Sequence, residues 1–181
     1  MSEAPAVEEA RERLRIEAAV TEGLRLARDA GHAEPALRDA VWELLLEAAD
    51  TLRRLPNREQ GWLTAAARAH WPDYVRNTAE EFAGAVGRAG REAVPALRPT
   101  PARAEAIDRM DAVLLWFPLA AGANARRDVS ILFGLACGLK VSVMRQRFGC
   151  GRRTVYDVRD RGIARICNWL RSRSEFCRKL G

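Results

Sequence analysis

Arg152, Arg153, Thr154, Tyr156 and Arg159 fall within eight positions of this chain, and Lys140, Arg145 and Arg147 fall within the eight positions 140–147. Guanidinium forks match phosphate oxygens and the O6/N7 edge of guanine, and a lysine ammonium matches phosphate as a point charge. A threonine hydroxyl donates and accepts, and a tyrosine adds a ring with a polar tip. This is the chemistry of recognising a polyanion without making or breaking bonds. Bond-making chemistry lacks its parts. There is no phosphate-cradling glycine loop, no nucleophile with an adjacent base, and no cluster of metal-ligating residues. Asp108 and Asp111 are paired carboxylates, which can do acid–base work, but no His, Lys or Ser beside them completes a site. The reading is of a protein that is not an enzyme, with no catalytic residue, no metal and no cofactor.

The charge distribution agrees. The formal net charge is +6, and it is unevenly placed. From Arg126 to the end the chain carries 14 Lys/Arg against 4 Asp/Glu, while the preceding residues carry 16 against 20. A positive field concentrated on 56 residues attracts phosphates and releases their counterions. A solvated, arginine-rich helix face is the plainer explanation of such charge. The coincidence of the charge with a local pattern favours recognition.

That pattern is a set of helices and turns able to position the basic side chains. Val129, Leu132, Phe133 and Ala136 keep helical spacing, with Asn124 as the expected N-cap and Gly138 as the residue that closes the helix. A second helix is predicted from Val141 to Phe148, with Met144 and Phe148 inward. Gly149 takes the sharp turn, because glycine enters the left-handed region without steric cost. A third helix starts at Gly151 or Arg152 and turns Val155, Val158, Ile163, Ile166 and Leu170 inward. Its outward N-terminal face carries Arg152, Arg153, Tyr156 and Arg159. This is the layout of a helix-turn-helix: the last helix meets base edges in the major groove, and the helix before it contacts backbone phosphate. Lys140, Arg145 and Arg147 are the expected phosphate contacts.

The rest of the chain reads as helical support. Alanine, leucine, arginine and glutamate favour helix, and no alternating β-rich run appears. Residues 6–30 form an amphipathic helix, expected to be a weakly attached arm, with Ile16, Val20, Leu24 and Ala27 as its stripe. Pro35 opens a stronger helix that ends at Pro56, with Leu37, Val41, Leu44, Leu45, Ala48, Leu52 and Leu55 on one face. Trp62, Trp71 and Tyr74 are aromatics that can stack bases, although core anchoring is their commoner use. Residues 84–101 are rich in glycine and proline and read as a linker, where Arg88, Arg91 and Arg98 can touch phosphate, although solvated loop arginines are the plainer reading. A helix over 102–117 follows, capped by Thr100, with Ile107, Met110, Leu114 and Phe117 in register and Pro118 at its end. The four cysteines fit no zinc spacing and no disulfide framework. The N-terminus has no signal-peptide character, and no apolar run reaches the roughly 18 residues needed to span a bilayer, so a cytoplasmic protein without membrane contact is expected.

Three segments carry a resemblance: Leu46-Glu-Ala-Ala-Asp-Thr-Leu-Arg-Arg-Leu-Pro56, Ile107-Asp-Arg-Met-Asp-Ala-Val-Leu-Leu-Trp116, and Arg145-Gln-Arg-Phe-Gly149 with Arg153-Thr154. Over about residues 40–172 the chain resembles a little-characterised helical family of alphaproteobacterial genomes and their prophages, a domain of unknown function with a C-terminal helix-turn-helix. The C-terminal half also resembles promoter-reading region 4 of sigma factors and the small subunits of phage terminases. In the sigma-like resemblance Arg152, Arg153 and Tyr156 read the duplex. Gly151 departs from the pattern, standing where relatives carry a capping serine.

The expectation is an all-α fold, a helical bundle with a C-terminal trihelical helix-turn-helix unit, divided as an arm at 1–33, a helical core with linker at 34–100 and a DNA-binding segment at 101–181. The expected function is sequence-specific binding of double-stranded DNA as a transcriptional regulator of a phage-like element, with RNA polymerase as protein partner. The alternative is a terminase small subunit that recognises packaging DNA, forms a homo-oligomeric ring and recruits a terminase large subunit.

Overall fold

The computed structural model describes residues 4–55 and 101–180. The described residues are all-α: α1 Ala4–Asp29, α2 Leu37–Arg54, α3 Ala104–Leu114, a 3₁₀ turn Phe117–Ala120, α4 Ala125–Ala136, α5 Val141–Phe148, α6 Arg152–Arg173 and α7 Glu175–Lys179. The aromatics Trp62, Trp71 and Tyr74, the linker arginines Arg88, Arg91 and Arg98, and Thr100 lie outside the described residues. The chain divides into two compact units, Met1–Leu44 with Ile163–Gly181, and Leu45–Gly162.

In the first unit α1 is not the loose arm that its modest apolar stripe suggested. Ile16, Ala19, Val20, Leu24 and Ala27 are all buried. The helix crosses α2 at Gly23, where a Cβ would come 2.7 Å from the Ala40 carbonyl oxygen. Only a residue without a side chain permits that approach. Polar contacts add to it: the buried Ser174 hydroxyl donates to a Glu17 carboxylate oxygen at 2.7 Å and accepts from the Cys177 N–H at 3.4 Å, capping α7. Sequence gave no sign of this pairing across 157 positions. α1 ends where Gly31 takes φ +102°, with the Gly31 and His32 N–H groups bonded to the Arg28 and Ala27 carbonyls. These two bonds satisfy carbonyls that a helix end leaves orphaned.

The second unit carries the basic residues. α3 begins at Ala104, two positions later than expected, behind Arg103, whose side chain makes no capping bond. It stops at Leu114. Pro118 has no N–H to continue an α-helix, and the chain tightens into the 3₁₀ turn, which keeps Trp116 and Phe117 buried. Phe117 then meets Phe133 of α4 edge-on, with ring centres 5.2 Å apart at 74°. The end of α2 is tied to α3 by a two-pronged ion pair, Arg109 Nη2 to Glu47 Oε1 at 2.7 Å and Nε to Oε2 at 3.1 Å.

α4 is the centre of this unit. Besides the expected Val129, Leu132, Phe133 and Ala136, it buries Ile131, Gly134, Ser130 and Asp128. A helix apolar nearly all round is covered on several sides, which a single amphipathic stripe does not convey. The side chain of Asn124 makes no capping bond, although the residue stands at the expected N-cap. Gly162 of α6 lets that helix close on the unit, since a Cβ there would sit 3.1 Å from Ala120 Cβ and 3.3 Å from Leu132 Cδ2.

Candidate nucleic-acid interface

Two left-handed glycines set the geometry of the basic region. Gly138, at φ +77°, ends α4 with its N–H on the Leu135 carbonyl and the Leu139 N–H on that of Gly134. This is the paired closure its position predicts. Three residues after Gly138, α5 starts at Val141. Gly149, at φ +59° and ψ +34°, ends α5 with its N–H on the Arg145 carbonyl. Cys150 and Gly151 complete the turn, and the Val155 N–H bonded to the Gly151 carbonyl opens α6. Gly151 needs no special backbone: its φ is ordinary, and a Cβ would meet only Thr154 Oγ1, at 3.8 Å. The missing serine is therefore a lost hydroxyl, not a steric demand.

The apolar side of this arrangement follows the spacing. Met144 and Val155 are fully buried, and Val158 is nearly so. Phe148 departs from expectation. It is half-buried, its ring lying 5.6 Å from the Arg147 guanidinium carbon and facing an open cavity. Its position ends a helix of only eight residues, so less of the core reaches it than reaches Met144.

Lys140, Arg145, Arg147, Arg152 and Arg153 are exposed, while Thr154, Tyr156 and Arg159 are half-buried. The expected site residues thus lie along α5 and the first two turns of α6. Three of them differ in electrostatic state from several arginines of α1 and α2. On α1 and α2, Arg25, Arg53 and Arg54 pair with carboxylates of their own helix. By contrast, Lys140, Arg145 and Arg152 make no ion pair among the described residues. Arg153 reaches Asp157 only at 3.8 Å, with its side chain 94% exposed. Further along, Asp160 accepts from Arg159 at 2.9 Å, and the Asp157 carbonyl accepts from Arg161 at 3.1 Å. The first turn of α6 contains no acidic residue. Its free N–H groups and Arg152 and Arg153 therefore add to one positive field.

Tyr156 stands between two cations. The guanidinium carbon of Arg152, one turn before it, is 5.8 Å from the ring centre, and that of Arg159, one turn after it, is 5.2 Å away. The ring faces restrain side chains that would otherwise sweep solvent.

Elsewhere chemistry is scant. Burial and the neighbouring Asp108 push the Asp111 carboxyl above its usual range. Cys137 is pushed up to about 12 and Cys167 to about 11, both mainly by burial. Among the described residues no three His, Cys, Asp or Glu side chains group as metal ligands, and no helix is long and apolar enough to cross a membrane.

Sequence reasoning missed Arg126, Arg127 and Ser130, which share a cavity with Arg147 and Phe148. The i, i+3 and i, i+4 spacing on α4 was the available signal, but it was read only for apolar residues. Among known proteins, the family described as Domain of unknown function (DUF6362) matches residues 53–166. No curated protein and no solved structure matches the chain.

Proposed function

We propose that this chain, which belongs to the DUF6362 family of domains of unknown function, is a double-stranded DNA-binding protein that reads sequence with a helix-turn-helix formed by α5 and α6. The observation that carries the proposal is the set of exposed cations without carboxylate partners among the described residues, Lys140, Arg145 and Arg152, beside a helix start that carries no acid. Arg25, Arg53 and Arg54, by contrast, are neutralised within a turn of their own helices. Lys140, Arg145 and Arg152 are left for an outside anion.

The division of labour follows from position. Arg152, Arg153 and Tyr156 on the first two turns of α6 supply base contacts, and each good arginine–guanine pair is worth about 1–3 kcal/mol of discrimination. Lys140, Arg145 and Arg147 supply phosphate contacts that set register but read no sequence. Thr154 and Arg159 flank them. Transcriptional regulation of a phage-like element, with RNA polymerase as partner, is the role we assign to this binding, on the resemblance of the C-terminal sequence to sigma region 4.

The test is duplex binding by the full chain across a salt series, followed by mapping of bound sites on genomic DNA. The proposal predicts affinity that falls steeply with salt, and enrichment at promoters. Enrichment at a single packaging site, with a ring-sized particle in solution, transfers the activity to a terminase small subunit. Salt-independent or absent duplex binding removes the nucleic-acid reading altogether.

A further inference from the structure

A concave space of about 500 Å³ lies where the start of α4 faces the end of α5. That volume falls within the range of about 300–1,000 Å³ that small-ligand sites occupy. Asn124, Arg126, Arg127, Ser130, Arg147 and Phe148 line it, and among the described residues no acidic side chain does. Arg126, Arg127 and Ser130 share one face of α4, at spacings of three and four residues. Arg147 and Phe148 form the opposite wall, the guanidinium carbon 5.6 Å from the ring centre.

The four polar parts have different duties. Arg127 is held by its neighbour Asp128, whose Oδ1 accepts from both Nε and Nη2 at 3.2–3.3 Å. Its position is fixed, and its charge is already partly met. Arg126 is exposed and makes no ion pair among the described residues. Ser130 is 4% exposed and lines this space. Arg147 comes from the other helix. Arg126 and Arg147 bring guanidiniums from two helices to one concavity, beside Arg127 whose charge Asp128 partly meets, and such a set attracts an oxyanion. Their planar forks fit a tetrahedral oxyanion better than a spherical one.

We propose that this cavity binds a phosphate group, gripped by Arg126 and Arg147 from two helices, with Arg127, Ser130 and Asn124 behind it and Phe148 covering its apolar side. The phosphate belongs either to the backbone of a bound duplex or to a free phosphate ester. In the first case the inference deepens the DNA-binding reading and extends its footprint onto α4. In the second it stands without that reading.

Two measurements on the full chain decide, each made on the wild type, Arg126→Gln and Arg147→Gln. The first is duplex affinity as a function of salt, on a preferred and on a random sequence. The second is calorimetric titration with inorganic phosphate and with AMP. A phosphate of the duplex predicts that Arg126→Gln weakens both sequences equally, by about fivefold, and lowers the salt slope by about 1. A free phosphate predicts AMP binding by the wild type that either variant weakens by about fivefold or more, with duplex binding by Arg126→Gln unchanged. Unchanged duplex binding together with no AMP or phosphate binding overturns the proposal. Because Arg126 is exposed, its substitution leaves the fold intact, which the far-ultraviolet spectrum and melting temperature check. A wild type that binds AMP but no duplex sinks the DNA reading and leaves this one standing.

Discussion

The Arg152 guanidinium carbon lies 5.8 Å from the ring centre of Tyr156. Arg159 approaches the same ring to 5.2 Å, so one side chain organises two cations at the start of α6. At exposed sites such contacts are worth about 0.5–1 kcal/mol each. Tyr156→Ala is therefore expected to weaken duplex binding by about five- to thirtyfold, the sum of two such contacts. Tyr156→Phe keeps the ring and retains most of the affinity. Fluorescence anisotropy with a labelled duplex reads both. A Phe variant as weak as the Ala variant would assign the role to the phenol hydroxyl instead.

The turn before α6 depends on backbone that glycine alone adopts cheaply. Gly149 sits at φ +59°, and nothing lies within 4 Å of the position its Cβ would take. Gly149→Ala is therefore resisted by strain and not by a clash, and should lower stability by about 1–2 kcal/mol. Gly151→Ser, at ordinary φ, should change it by only a few tenths of a kcal/mol, in the stabilising direction. Urea unfolding of the two variants separates the cases. Equal effects would mean that the turn does not hold the left-handed residue.

The contrast between these two glycines shows what was legible in the sequence. Gly138 and Gly149 announced themselves because each follows an apolar-periodic segment, and the stripes Val129–Ala136 and Val155–Leu170 gave α4 and α6 their inward faces. Local rules reach that far. They did not reach the attachment of α1, which rests on Gly23 against Ala40 and on Glu17 with Ser174, contacts between residues far apart in the chain. They misjudged Phe148, because period alone does not say that a helix ends before its last residue is covered. The cavity shared by α4 and α5 escaped for the same reason. Arg126 and Arg147 belong to different helices, and only the packing of those helices sets them around one space.

The Glu47–Arg109 pair joins α2 and α3 through two hydrogen bonds, with both side chains about four-fifths buried. Glu47→Gln leaves a guanidinium without its partner charge in a half-dry site and should destabilise the protein by about 1–3 kcal/mol. A double-mutant cycle with Arg109→Gln checks this. Full additivity of the two single changes would show that the pair contributes nothing of its own.

Burial raises the Cys137 thiol to about 12 and the Cys167 thiol to about 11, well above the usual range, and raises Cys177 as well. In the folded chain these thiols stay protonated when the unfolded chain has lost its protons. The unfolded state then binds fewer protons, so stability falls as pH rises above about 9. Below that value both states hold the proton and the effect vanishes. Thiol-reactive reagent at pH 8 should modify the half-buried Cys150 first and the other three only as the protein opens. Four thiols reacting at one rate in the native protein would contradict the packing of α4, α6 and α7.

Base reading by the start of α6 is the claim on which the functional account turns, and the double variant Arg152→Ala with Arg153→Ala tests it most directly. Its affinity is measured, at fixed salt, for the preferred duplex and for a random one. The account predicts a preferred-site loss exceeding the random-site loss by about tenfold or more, since base contacts are lost only where the right bases stand. Equal losses on the two duplexes would contradict it and reduce the face to a patch of phosphate attraction.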